Sequence, residues 1–283
     1  MNGFVFIDKE PGLTSKDVST KVGQFFHTKK VGHIGTLDPF ASGLLIVMVN
    51  KATKTLICFE DFPKRYIATI KLGEYKDSMD TEGTTIETLP IPELNKKTIE
   101  KTLNSFLGKS MQTVPLTSAV HVNGKRLYEY ARKGQEVELP TREIEVFDIK
   151  LVDFTKDEIT FEAYVSKGTY IRALGADIAK ELGCVGYLNA LRRVSTGPFD
   201  VKEAVKLSNL KEEDVKPIGE TLSRFINTKV VDEKEATDIK NGKIKIYPLE
   251  AKEEKLLIVD NDNNPIALYT NIDNQYIFRR GLF

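Results

Sequence analysis

The sequence predicts a chain of mixed strands and helices, and three observations predict it. The run 44–49 is short and uniformly apolar, as in a strand buried on both faces. Tyr66, Ala68, Ile70 and Leu72 share one face at the two-residue period of a strand, as do Ile159, Phe161, Ala163 and Val165. Apolar residues recur at helical spacing in three other places: Val18, Val22, Phe25 and Phe26; Ile99, Leu103, Phe106 and Leu107; Ile171, Leu174, Ile178 and Leu182.

Composition narrows the function. The 283 residues suit one large domain, or a large and a small one, with enough apolar material for a sizeable core. Lys+Arg and Asp+Glu both number 41, so the formal net charge is zero. A protein that holds nucleic acid by bulk charge alone is thereby disfavoured, whereas a local basic face is not. Cys58 and Cys184 are far apart and form no CxxC pair, the pattern of two reduced thiols. His27, His33 and His121 lack metal-ligand spacing, so no metal is expected. The apolar start of the chain is too short for a signal peptide, and no run approaches the ~20 residues that span a bilayer. A soluble cytoplasmic protein is the expectation.

The elements follow in order. A first strand covers 4–7, and Lys9-Glu10-Pro11-Gly12 is a turn. Thr14 or Ser15 caps the first helix. After the apolar strand comes the alternating strand 64–73, then an acidic turn, 77–83. A helix covers 95–107 and stops at Gly108. Asn123-Gly124 signals a hairpin, followed by a basic segment with Tyr128 and Tyr130. Strands cover 143–154 and 159–165, and the helix over 171–182 ends at Gly183. From about 201 the sequence reads as lysine-rich, acidic and helical. After 227 it shifts to short β-like pieces at 243–247, 256–260 and 265–269, with a turn at 261–264.

The chain is organised around residues 31–49, where one acid, Asp38, stands among glycines, precedes a proline and is backed by the apolar run. Asp-Pro favours a turn, and a rigid strand behind it places the carboxylate accurately. Asp-Pro is equally an ordinary helix start, with Asp as the cap. Gly32-His33-Ile34-Gly35-Thr36-Leu37-Asp38-Pro39-Phe40-Ala41-Ser42-Gly43-Leu44 closely resembles the catalytic motif of the TruB family of tRNA pseudouridine synthases, usually GHxGxLDPxAxGxL.

Further segments, covering about 4–199, carry the same resemblance. Lys64-Arg65-Tyr66-Ile67-Ala68 is similar to the second synthase motif, and Lys167-Gly168-Thr169-Tyr170-Ile171-Arg172 to the third. Leu191-Arg192-Arg193 falls where the family has Leu-Arg-Arg, and Ser118-Ala119 onward resembles the insertion that grips the RNA loop, about 116–142. Two positions depart from the family pattern. Lys9 is followed by Glu10 before Pro11, and Thr117 stands where an aromatic is common.

The resemblance implies an α+β pseudouridine-synthase fold with a mixed, mostly antiparallel sheet flanked by helices over 1–226. A small PUA-like β-rich domain would occupy 227–283. It implies conversion of uridine to pseudouridine at position 55 in the TΨC arm of tRNA, with base flipping and no cofactor. The enzyme would act as a monomer without an obligate protein partner, away from any membrane. Asp38 would be the nucleophile, Arg172 its ion-pair partner and Tyr66 the platform for the flipped base. His33, Asp80, Tyr170, Leu191 and Lys9 would bind substrate. The pairs Lys29-Lys30, Lys64-Arg65, Lys125-Arg126 and Arg192-Arg193 would meet phosphates. A cation near Asp38 is expected to lower its pKa.

Taken singly these residues have plainer readings: Lys9 a solvated turn lysine, Tyr66 a core aromatic, Arg172 a surface ion pair, His33 a structural turn residue. Three whole-protein alternatives stand beside the synthase. A non-catalytic tRNA-binding or folding module has no need of the Asp38, Tyr66 and Arg172 set. A retaining glycosidase would need a second carboxylate ~5 Å from Asp38, and Trp, the usual sugar platform, is absent from the chain. A guide-RNA-dependent relative is disfavoured by the basic insertion.

Overall fold

A computed structural model describes residues 1–243, 245–248 and 254–283. Its main sheet contains β1 (Gly3–Lys9), β2 (Val31–Ile34), β3 (Ser42–Val49), β4 (Lys64–Leu72), β5 (Gly108–Thr113), β6 (Thr141–Phe154), β7 (Glu158–Val165) and β8 (Gly186–Thr196). The order is β1-β3-β8-β4-β7-β6-β5, with β2 against β3 and a short strand, Phe199–Asp200, against β8. These neighbours are antiparallel except β3 and β8, which run parallel, with Arg192 opposite Ser42 and Arg193 opposite Gly43. The sheet is thus mixed and mostly antiparallel, in an α+β fold.

The apolar runs of β1 and β3 match strands buried on both faces. Val5, Ile7, Leu45 and Val47 point into one core, and Phe4, Phe6, Leu44 and Ile46 into another. Strands covered on both faces cannot alternate apolar with polar, which is why 44–49 is uniformly apolar. The first core is closed by α1 (Ser15–Phe25), α2 (Lys96–Asn104) and α4 (Ile171–Glu181), through Val18 and Val22, Ile99 and Leu103, and Leu174 and Ile178. Thr14 caps α1 and exchanges hydrogen bonds with Asp17 in a capping box. Phe25 departs from the predicted face. It is exposed and meets Phe26 edge-on.

Residues 116–142 carry a hairpin, with His121–Val122 paired to Lys125–Arg126, and α3 (Leu127–Arg132). The expected helical stretch after 201 is instead a series of single 3-10 turns, followed by the short α5 (Ile218–Ser223). The physical reason is the open edge of β1. Val205 and Lys216 exchange backbone hydrogen bonds with β1 residues, so this segment covers the edge in single turns instead of winding into one continuous helix.

The C-terminal part contains α6 (Glu233–Lys240) and a second sheet of β9 (Asn227–Val230), β10 (Tyr247–Pro248), β11 (Lys255–Val259), β12 (Pro265–Ile272) and β13 (Gln275–Gly281), ordered β9-β11-β12-β13-β10. Of the strand predicted at 243–247, only Tyr247 is in a strand, and Ile244 lies outside the described residues. Leu257, Val259, Leu268 and Leu282 share the core of Phe4, Phe6, Leu44 and Ile46. At about 1.5–3 kcal/mol per buried large apolar side chain, this shared core fixes the second sheet to the back of the first.

Candidate active site

The site begins with the loop between β2 and β3, residues 35–41, which caps no helix and turns directly into β3. The loop is pinned on both sides of Asp38. Ser15 Oγ accepts from the Leu37 N–H at 2.8 Å and lies 2.9 Å from the Leu37 carbonyl, to which it donates. Lys9, 1% exposed, donates its Nζ to the carbonyls of Ala41 (2.6 Å), Pro39 (3.1 Å) and Glu10 (3.1 Å). The Gly12 N–H reaches the Pro39 carbonyl at 2.8 Å. Where the loop enters β3, Gly43 has φ +101, and a Cβ there would come within 2.2 Å of the Arg193 carbonyl oxygen. Only glycine lets β3 and β8 approach this closely.

Arg172 approaches Asp38 from the first turn of α4 and is 3% exposed. Its Nη1 donates to the Ser78 carbonyl (2.7 Å), Thr117 Oγ1 (2.7 Å) and Asp80 Oδ2 (3.2 Å), and its Nη2 to the Thr117 carbonyl (3.2 Å). The remaining nitrogen, Nε, lies 3.1 Å from Asp38 Oδ2. Asp80 is itself held, accepting at Oδ1 from Ser78 Oγ (2.5 Å) and the Glu82 N–H (3.0 Å). Charge-assisted bonds of this kind set the guanidinium plane more firmly than one ion pair would.

Asp38, Tyr66, Tyr170, Arg172 and Leu191 line one cleft of about 460 Å³, together with Gly35, Lys64, Thr117, Ser118, Tyr128 and Arg193. Tyr66 and Leu191 reach it from neighbouring strands, β4 and β8, which pair Leu191 with Ala68. Asp80, Lys9 and His33 do not line it. Asp80 lies behind Arg172, and Lys9 behind the Asp38 loop. His33 lies beside the loop, with Nδ1 3.1 Å from Ser19 Oγ and Nε2 3.1 Å from Thr36 Oγ1.

The electrostatics depart from expectation at Asp38. Burial pushes its pKa up, and the attraction of Arg172 only partly offsets this, while the charge of Asp80 adds to the rise. The acid nonetheless keeps 35% of its side chain exposed, so it faces an open cleft. Burial brings Lys9 down to about 8, against the pull of Asp38. Burial and then the charge of Arg193 push His33 down, which favours the neutral imidazole.

The basic pairs do not all remain free for phosphates. Arg65 pairs with Glu162 at 2.7 Å and Arg192 with Asp8 at 2.8 Å. Arg193 is 1% exposed. Lys125 and Arg126 stay exposed, over the rings of Tyr130 and Tyr128. Thr117, noted in sequence only as a departure, grips Arg172 by both side chain and backbone. Nothing local marks this contact, because it joins residues 55 positions apart.

The TruB family pseudouridylate synthase N-terminal domain matches residues 24–171, and the tRNA pseudouridylate synthase B C-terminal domain matches 172–227. Among curated relatives, the tRNA pseudouridine synthase B of Hydrogenovibrio crunogenus is 43% identical over 75% of this chain and 70% of its own length. That of Francisella philomiragia is 44% identical with the same coverage. That of Francisella tularensis subsp. holarctica is 38% identical over 88% of this chain and 89% of its own. Solved structures share the fold at lower identity. A Cbf5-Nop10-Gar1 complex superposes with TM-score 0.76 and 21% identity, over 99% of this chain and 85% of that one. An H/ACA RNP bound to a substrate RNA containing 2'-deoxyuridine gives 0.75 and 19%, with the same coverage. With the glycine-flanked acid, its arginine and the cleft they both line in place, the chain belongs to the TruB family of pseudouridylate synthases.

Proposed function

We propose that this protein converts uridine to pseudouridine at position 55 in the TΨC arm of tRNA, with Asp38 as nucleophile. The observation that carries this reading is the ion pair of Asp38 with Arg172, whose two terminal nitrogens are anchored, in a cleft lined by Tyr66. In the reaction the bond from the ribose anomeric carbon to N1 breaks. The base turns, a bond to C5 forms, C5 loses its proton and N1 gains one. Atoms and electrons balance without a redox partner.

Ionised Asp38 attacks the anomeric carbon or the uracil ring, and Arg172 orients it for either. The target base first leaves its stack, at a cost of a few kcal/mol. Stacking on Tyr66, at about 1–3 kcal/mol per base, offsets that cost. Tyr170 and Leu191 wall the pocket. Asp80 and Lys9 act from behind it, Asp80 as counterion to Arg172 and Lys9 as the clamp of the Asp38 loop. His33 borders the space that flipped nucleotides vacate. Residues 116–142 close over the RNA loop with Lys125 and Arg126, since such RNA is recognised by shape and splayed bases. Residues 1–226 form the catalytic unit and 227–283 a PUA-like RNA contact, and the enzyme acts as a monomer in the cytoplasm.

The test is incubation with an unmodified tRNA transcript, followed by mapping of isomerised uridines. The wild type forms pseudouridine at position 55. Asp38→Asn forms none and binds the transcript within about tenfold of wild type. Full activity in that variant overturns the nucleophile assignment. Binding without isomerisation by the wild type would favour the alternative of a tRNA-folding module.

A further inference from the structure

The cleft wall beside the Asp38 loop carries two cations that the reaction above does not use. Arg193 is 1% exposed. Its Nε donates to the Leu44 carbonyl at 2.8 Å and its Nη2 to the Gly35 carbonyl at 2.7 Å. Nη1 is buried without a hydrogen-bond partner. Lys64 donates to the Phe62 carbonyl at 2.8 Å. Among the described residues neither cation has a carboxylate within ion-pair distance, in contrast to Arg65 and Arg192 beside them in sequence.

Buried charge without a counterion is costly, and proteins normally pair it or neutralise it. Here the surroundings increase the cost. Lys9 and His33 lie within the field of Arg193, and burial together with Arg193 brings Lys64 down to about 8 against the more distant pull of Asp61, itself paired with Lys167. The carboxylates of the site, Asp38 and Asp80, are committed to Arg172. Gly35, Lys64 and Arg193 all line the cleft, Lys64 half-buried and Arg193 closed off behind it. A Cβ on Gly35 would stand 3.2 Å from Arg193 Nη1 and 3.3 Å from Lys64 Cε. Glycine at this point, with φ +67, keeps that space between the two cations free of a side chain.

We propose that Arg193 and Lys64 form an internal anion site that takes one of the two phosphates flanking the target uridine. The inference rests on the proposed uridine isomerisation, because a nucleotide that presents its ribose to Asp38 brings its own phosphates into the same cleft. The anion supplies the missing counterion, meeting Lys64 directly with the fixed guanidinium charge of Arg193 close behind it. Phosphate contacts of this kind set register without reading sequence. The site therefore fixes how deep the flipped nucleotide sits relative to Asp38.

The experiment uses three T-arm hairpins, each with one uncharged methylphosphonate linkage: 5′ of the target uridine, 3′ of it, or in the distal stem. An all-phosphodiester hairpin is the reference, and both affinity and isomerisation rate are measured. One flanking substitution is expected to weaken wild-type binding about tenfold or more, as for loss of a charge-assisted bond, while the stem substitution changes it less than threefold. Lys64→Met is the variant of choice, because Arg193 also holds the backbone carbonyls of Gly35 and Leu44. It binds the reference hairpin about tenfold more weakly and no longer distinguishes the neutral linkage from the charged one. The proposal is overturned if the wild type binds both flanking substitutions within twofold of the reference, or if Lys64→Met keeps the full wild-type ratio. Failure of the wild type to isomerise the reference hairpin overturns the proposed function instead, and the affinity ratios still decide the anion site.

Discussion

Arg172 meets Asp38 with a single nitrogen, Nε, at 3.1 Å, while its two terminal nitrogens are committed to Asp80, Ser78 and Thr117. The arginine is thus a fixed strut, and the carboxylate is the member of the pair left open to the cleft.

A lysine at this position cannot serve all those acceptors from one ammonium group, nor present a second edge to Asp38. Arg172→Lys is therefore expected to lower kcat about 100-fold, or roughly 2.7 kcal/mol of transition-state stabilisation, and to change KM less than threefold. Steady-state kinetics on a tRNA transcript measure both. A loss confined to KM would place Arg172 on the RNA backbone instead.

The raised pKa of Asp38 links activity and stability to pH with a definite sign. The reactive form is the carboxylate, so the rate falls on acidification, and the fall begins at a higher pH than for an ordinary aspartate. The folded state holds the Asp38 proton more tightly than the unfolded chain. Stability contributed at this residue is therefore present below the unfolded pKa of ~3.9 and lost as pH rises through the folded value. Asp38→Asn should accordingly melt higher than wild type at pH 7, and the difference should shrink toward pH 4. Thermal melts of the two proteins at both pH values check this, and equal melting temperatures at pH 7 would remove the desolvation argument.

Lys9 touches no part of the cleft, yet its ammonium holds the carbonyls on the far side of Asp38. Lys9→Met leaves those carbonyls unpaired and frees the loop. The expected result is a fall in kcat of at least tenfold with KM within threefold and the acid limb of the pH profile shifted. A substrate-contact lysine would raise KM instead.

Much of the site was legible in the order of residues. Asp38 could be singled out because its turn, its glycines and the apolar strand behind it are local features, set by φ/ψ preference and by two-sided burial within about ten residues of chain. The two-residue period of β4 put Tyr66 on a buried face, but its place in the cleft, like that of Leu191, was suggested only by the family resemblance. The 3-10 path after 201 was not legible, because what holds it is the backbone edge of β1, about two hundred residues earlier.

The sequence by itself marked the strands over 4–7, 44–49, 64–72, 143–154 and 159–165, the three long helices, the Thr14 cap and the central acid on its turn, since these depend on neighbours along the chain. Tertiary structure decided which charges are free. Arg192 and Arg193 are adjacent in sequence, but successive strand side chains point to opposite faces. One therefore meets Asp8 and the other lies buried beside the cleft with an unused donor. It likewise decided that Thr117 braces Arg172 and that Asp38 titrates upward, because pairing and desolvation depend on what surrounds a group in space.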